Sequence, residues 1–292
     1  MNKIKLNSWG KFTNIEAVQH DFKDIPNLKK LLSQNKSFIP SGNFRSYGDS
    51  AFSDNIISCR SYNKIITFDK LSGIITAQAG MTLCEILSNV VPHGWFLGVT
   101  PGTKYTTLGG AIASDVHGKN HHLNGCFSEY LSEFELMLHD GSVVTIKRED
   151  ELFKATCGGM GLTGIIINAT MKLVKIKSSY IDQTTIKTKN LKETFSVFEK
   201  YANEPYSVAW FDGFAEGADF GKSIIQIGNF SAEGRLEFKE ELIRHFPFRI
   251  LSFFLTKTLM RIFNYLYYSL TPSKVTKSKI HFDKFFYPLD LF

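Results

Sequence analysis

Val99-Thr-Pro-Gly-Thr-Lys-Tyr-Thr-Thr-Leu-Gly-Gly-Ala-Ile-Ala-Ser-Asp-Val-His-Gly-Lys-Asn-His-His122 combines closely spaced glycines, a run of small hydroxyl residues and a polar cluster of His117, Lys119, Asn120, His121 and His122. Small residues let backbone N–H groups come close to an anion, and a cluster of this kind can hydrogen-bond a heteroaromatic ring. Upstream lies a second glycine-containing stretch, Pro40-Ser-Gly-Asn-Phe-Arg-Ser-Tyr-Gly-Asp-Ser50. Together the two describe a large, phosphate-bearing cofactor laid across two loops.

Around these loops the chain alternates short strands with single helices. An amphipathic N-terminal start leads to Leu28-Lys-Lys-Leu-Leu-Ser33, which reads as a short helix with Pro26 near its start. Ser37–Pro40 reads as a strand entering the first glycine loop, and further strands are predicted at Asn55–Cys59, Lys64–Asp69 and Gly73–Gly80. Thr82 is a predicted N-cap, with Glu85 in the capping-box position of a helix running to Val91. Strands follow at Glu133–His139, Val143–Lys147 and Gly164–Val174. Without a strict βαβ repeat, an α+β fold is favoured over a doubly wound sheet.

Gly159-Met-Gly161-Leu-Thr-Gly164 matches the dinucleotide fingerprint G-x-G-x-x-G, which needs a strand before it and a helix opening at it. Here the preceding Leu152–Cys157 looks helical, and the following Ile165–Val174 is β-branched and alternating. The context is reversed, and a Rossmann NAD site is rejected.

At 292 residues, 43% hydrophobic and 21% charged, the chain has room for one large domain or two ordinary ones with a proper core. Its first ten residues lack an apolar signal core, which argues against a cleaved leader. The four cysteines, Cys59, Cys84, Cys126 and Cys157, include no C-x-x-C pair and read as reduced thiols. No carboxylate stands at ligand spacing from His121 and His122, so no metal is expected. The net charge of +6 is carried by the tail. From Arg244 to His281 there are seven cations and no acid, leaving the remainder close to neutral.

Character changes near Lys175–Ser179, beyond which come a strand at Ser223–Ile227 and a predicted helix at Arg235–His245. Phe248–Leu270 is rich in Phe, Leu and Tyr, but Lys257 and Arg261 interrupt it, so a bilayer span is disfavoured. A helix there with Leu251, Phe254, Leu255, Thr258, Leu259, Ile262 and Leu266 on one side suits either a lipid interface or packing on a sheet.

The segments Phe44–Asp49, Val99–Thr103, Leu108–Ala113, His117–His122, Glu151–Thr156, Gly158–Ile166 and Ala209–Asp212 resemble, in order, the FAD-linked oxidases with a PCMH-type (vanillyl-alcohol-oxidase-like) FAD-binding domain. The resemblance spans the first 175 residues and thins towards the end. It implies an α+β chain with a two-subdomain FAD-binding fold over 1–176 and a partial substrate (cap) domain over 177–292. In the family, the motif Phe285–Phe292 is followed by a further C-terminal portion of that domain.

Carried over by position, the cofactor contacts fall on Pro40, Ser41, Gly42, Asn43, Phe44, Arg45, Ser46, Tyr47, Gly48, Asp49 and Ser50. A second set falls on Gly102, Thr107, Leu108, Gly109, Gly110, His117, Gly118, Lys119 and Asn120, with a backbone contact at Ile166. Glycine-flanked amides of both stretches would cradle the pyrophosphate. His117 and Asn120 would hydrogen-bond near the isoalloxazine, and Lys119 would add charge where the reduced flavin is negative. Many family members attach FAD through a histidine at the place of Arg45; arginine cannot form that bond, so the resemblance implies non-covalent FAD.

The implied reaction is oxidation of a secondary alcohol on a sugar, with His117 as the catalytic candidate. Within the family the nearest likeness is to enzymes that oxidise the 2′-hydroxyl of a polyprenyl-phosphate ribose to a ketone, which a separate short-chain reductase then reduces. Other readings are a soluble alditol or aldonolactone oxidase and a flavin-binding remnant without turnover. A cytoplasmic location follows, with the basic aromatic tail at the inner face of a membrane; nucleic acid is not an expected partner.

Overall fold

The computed structural model describes residues 3–11, 14–34, 37–239 and 256–291. They divide into two compact units. The first takes the described residues up to Gly118 together with Asn124–Lys175, and the second takes Lys119–Leu123 with the described residues from Ile176 onward.

The first unit begins with strands β1 (Lys3–Asn7) and β2 (Asn14–Asp21), which pair antiparallel. The expected amphipathic start is thus a hairpin, because its apolar residues alternate: Leu6 and Ala17 are buried while their neighbours are not. Helix α1 (Ile25–Leu32) follows, with Asp24 as N-cap accepting from the Asn27 amide at 2.8 Å and Pro26 in its first turn. It leads to β3 (Ile39–Ser41), which lies parallel to β4 (Asn55–Ser58) in a four-stranded sheet of order β1-β2-β4-β3.

A second, wholly antiparallel sheet has the order β5-β6-β10-β8-β9, formed by β5 (Ile65–Asp69), β6 (Ile74–Gln78), β8 (Leu131–Met137), β9 (Val143–Lys147) and β10 (Ile165–Lys172). The short strands β7 (Trp95–Phe96) and β11 (Val174–Lys175) pair beside it. One apolar cluster ties the sheets together: Phe22, Leu28, Ile57 and Cys59 from the first side meet Met137, Ile165 and Ile167 from the second. Helix α2 (Leu83–Val90) carries the expected capping box, with the Glu85 amide donating to Thr82 Oγ1 at 3.1 Å and the Glu85 carboxylate accepting from the Thr82 amide at 2.6 Å.

Helix α3 (Leu108–Ala113) and one turn of helix, α4 (His121–Asn124), occupy the quoted stretch. Helix α5 (Glu151–Thr156) precedes the Gly159–Gly164 motif and β10 follows it, so the reversed context holds. That loop props α3: the Gly158 amide donates to the Ile112 carbonyl at 3.1 Å and the Met160 amide to Ala113 at 2.8 Å.

The second unit is built on an antiparallel sheet of order β13-β14-β12-β15, from β12 (Tyr180–Thr188), β13 (Tyr206–Phe211), β14 (Ser223–Phe230) and β15 (Thr276–His281). Helix α6 (Leu191–Lys200) covers Ile186, Ile225 and Ile227 with Val197 and Phe198. Helices α7 (Lys257–Leu270) and α8 (Phe282–Phe286) complete it, and Phe285 and Phe286 meet Tyr206 edge to face at 6.3 and 4.9 Å.

The helix predicted at Arg235–His245 is not formed over Arg235–Lys239, and its remainder lies outside the described residues. The backbone there is committed elsewhere: the Ser179 amide donates to the Arg235 carbonyl at 2.9 Å, and the Glu237 amide donates to Ser179 Oγ at 2.9 Å. Of the Phe248–Leu270 helix, Leu251, Phe254 and Leu255 also lie outside the described residues.

Candidate active site

The first glycine stretch leaves β3 at Ser41 and returns to β4 at Asn55. Phe44 adopts a left-handed conformation, φ 50°, and its side chain packs with Phe52 on the cluster of Leu6, Ala17, Ile39 and Ile56. Apolar anchoring of one side chain thereby holds a loop whose polar backbone stays outside the core. Among the described residues, no backbone N–H from Gly42 to Ser50 has a protein acceptor. A run of open amides is available to hydrogen-bond an anion.

The second stretch is clamped against the first. Asn43 Nδ2 donates to the Tyr105 carbonyl at 2.9 Å, and a Cβ on Gly42 would come within 2.3 Å of Thr107 Oγ1. Glycine is required at 42 by this close approach. The Arg45 guanidinium lies 5.6 Å from the centre of the Tyr105 ring, and its Nε is buried without a hydrogen-bond partner. Tyr105 and Asn43 form the joint between the loops; Tyr105 was not among the predicted contacts, although it lies inside the quoted stretch.

One expectation needs correction. Leu108, Gly109 and Gly110 do not offer their amides to an anion, because Leu108 donates to the Met81 carbonyl at 2.7 Å, Gly109 to Ala79 at 2.8 Å and Gly110 to Thr107 Oγ1 at 3.1 Å. These glycines serve close packing: a Cβ on Gly109 would sit 3.0 Å from the Ala79 Cβ. Gly48 and Gly102, by contrast, face open space. Ile166 is on β10 opposite Leu136, beyond the pairing of β6, which begins at Asn168.

His117 is exposed and bridges antiparallel to Cys126. The preceding turn is held by Asp115, at φ 38°, whose carboxylate accepts from the Ser128 amide at 2.9 Å and the Ser128 hydroxyl at 3.1 Å. Pro40, Ser41, Gly42, Phe44, Arg45, Ser46, Tyr47, Gly48, Asp49 and Ser50 all lie with His117 and Gly118 in the first unit.

Lys119 and Asn120 belong to the second unit. The Lys119 carbonyl accepts from the Ser207 amide at 2.9 Å, while its ammonium donates to the Phe285 carbonyl and stands 4.6 Å from the Phe285 ring centre. Burial lowers the Lys119 pKa to about 8. Asn120 is buried, and His122 Nε2 lies 3.0 Å from the Glu204 carbonyl. The His117–His122 motif therefore divides between the units after Gly118.

The cysteines are free, and burial pushes the Cys59 and Cys157 thiols up to about 12, so neither is a ready thiolate nucleophile. No cluster of three metal-ligating side chains occurs among the described residues.

The residues fit a bound FAD through the open amide loop, the unmatched Arg45 Nε beside it, and the space at Gly48 and Gly102. Residues 21–147 match the family described as FAD binding domain. The chain carries a PCMH-type FAD-binding domain, and FAD is its cofactor. It is 34% identical over 211 residues to decaprenylphosphoryl-β-D-ribose oxidase of Mycolicibacterium smegmatis, covering 70% of this chain and 46% of that protein. With D-lactate dehydrogenase of Anaerostipes hadrus the identity is 26% over 178 residues, covering 57% of this chain and 37% of that protein. The fold matches a solved alkyldihydroxyacetonephosphate synthase with a TM-score of 0.60 at 14% identity, over 72% of this chain and 46% of that one. The chain thus spans less than half the length of these relatives.

Proposed function

We propose that the chain is part of an FAD-dependent oxidase that converts a secondary alcohol of a polyprenyl-phosphate ribose to a ketone. The observation that carries this reading is the 34% identity over 211 residues to an oxidase of decaprenylphosphoryl ribose. Bound FAD would supply the two-electron acceptor that oxidation of the alcohol requires. The chain's own share is binding and proton handling. The open amides of Gly42–Ser50 would hold the pyrophosphate, with Arg45 supplying a positive charge beside them, and His117, exposed at the end of the α3 turn, would take the hydroxyl proton. The flavin is held without a covalent bond, since Arg45 stands where a linking histidine would be needed.

The test is to purify the 292-residue chain, record its visible absorbance before and after denaturation, and assay oxidation of a polyprenyl-phosphate ribose with an artificial electron acceptor. A flavin spectrum that leaves with the supernatant, and turnover lost in His117→Ala, support the reading. Flavin retained by the precipitate overturns non-covalent binding. Preferential oxidation of a free alditol or aldonolactone overturns the substrate class.

A further inference from the structure

Residues Ser8–Lys11, which follow β1, stand against the first glycine loop. The Trp9 amide donates to the Ser46 carbonyl at 3.0 Å, and the Trp9 indole meets the Tyr47 ring edge to face, with centroids 5.3 Å apart. The turn itself is tight: the Lys11 amide donates back to the Ser8 carbonyl at 3.0 Å, with Lys11 at φ 54°. Trp9 thus takes a carbonyl of the glycine loop and leaves the loop's open amides untouched.

Both sides of this junction are unfinished. Trp9 is 39% exposed and Tyr47 72%, although rings of this size contribute most when their area is buried. Ser8, only 3% exposed, has a hydroxyl without a hydrogen-bond partner, where buried polar groups nearly always find one. Arg45, which precedes the acceptor Ser46 as Ser8 precedes the donor Trp9, has a buried and unmatched Nε. Among the described residues the other such side-chain atom, Gln183 Oε1, belongs to the second unit.

Open amides, unmatched polar atoms and bared rings side by side suit a ligand that joins an anion to a planar ring. FAD has that composition on both sides of its pyrophosphate, with adenine at one end and isoalloxazine at the other. We infer that Trp9 is a cofactor-binding residue: its indole and the Tyr47 ring form an aromatic wall on which one planar ring of the bound FAD packs, while the amides of Gly42–Ser50 take the anion. Trp9 lies outside every contact implied by the family resemblance, the first of which is Pro40. The inference rests on FAD being the cofactor and on no particular substrate.

Calorimetric titration of the full chain, freed of flavin, with FAD, ADP and FMN tests the inference. Trp9→Leu keeps apolar bulk for folding but has no ring; it should weaken FAD binding on the order of tenfold, while Trp9→Phe stays near the parent. The loss should fall on one half of the cofactor. A loss for ADP places adenine on the wall and a loss for FMN places isoalloxazine there; either supports the inference. A role confined to holding the loop would weaken ADP and FMN alike. Should Trp9→Leu fail to fold, Tyr47→Leu, which removes the more exposed ring of the pair, is read in the same way. Equal losses for ADP and FMN, or unchanged FAD affinity, overturn the inference and leave FAD as the cofactor. A parent chain that binds none of the three overturns the FAD reading and the inference with it.

Discussion

Arg45 has a buried guanidinium nitrogen with no acceptor, on the loop whose amides are open. A buried unmatched donor costs about 1–3 kcal/mol. Arg45→Met should therefore raise the melting temperature of the flavin-free chain while weakening FAD binding, measured by fluorescence titration. Unchanged FAD affinity would show that the guanidinium has no anionic partner in the complex. Lys119 presents the reverse balance. Its folded pKa, about 8, lies below the ordinary lysine value, so between the two the unfolded chain holds the extra proton and stability rises with pH. Below about 8 the cost of the buried ammonium is present in full. The stability advantage of Lys119→Met over the parent should accordingly shrink from pH 7 to pH 10 in parallel denaturant titrations; a pH-independent difference would refute the shift.

At the scale of elements, local chemistry accounts for α2 and fails for β12 and α7. The Thr82–Glu85 capping box was legible because it is a contact between residues three apart. Thr82→Ala should lower stability by about 1 kcal/mol, read from the denaturant midpoint at unchanged m-value. Strand β12, Tyr180–Thr188, has too few apolar residues to announce itself and is held by ladders to β14 and β15 on both sides. Helix α7 was legible as an amphipathic helix, but not which edge it would bury, since its buried residue, Asn264, donates to Asp212, fifty-two residues earlier in the chain.

Over the whole molecule, the core that positions the cofactor loops is shared by two sheets. Ile57 is fully buried between α1 and β10, and Ile57→Ala should cost about 2–5 kcal/mol and reduce flavin retention along with stability. Loss of stability with full flavin content would show that the loops are held independently of this cluster.

The two glycine stretches were enough to predict a phosphate-bearing cofactor laid across two loops, because tight loop contacts and amides close to an anion demand particular small residues at particular places; that the cofactor is FAD was implied by the resemblance of these motifs to a known family. Likewise the strand after Gly164 ruled out a Rossmann site from periodicity alone. Which amides remain open was beyond such a reading: those of Leu108 and Gly109 are claimed by the carbonyls of Met81 and Ala79, and those of Gly42–Ser50 are not. Nor could adjacency in the chain show that Gly118 and Lys119 go to different units. Hydrogen-bond partners and burial are properties of residues brought together from distant positions, and only the packed fold assigns them.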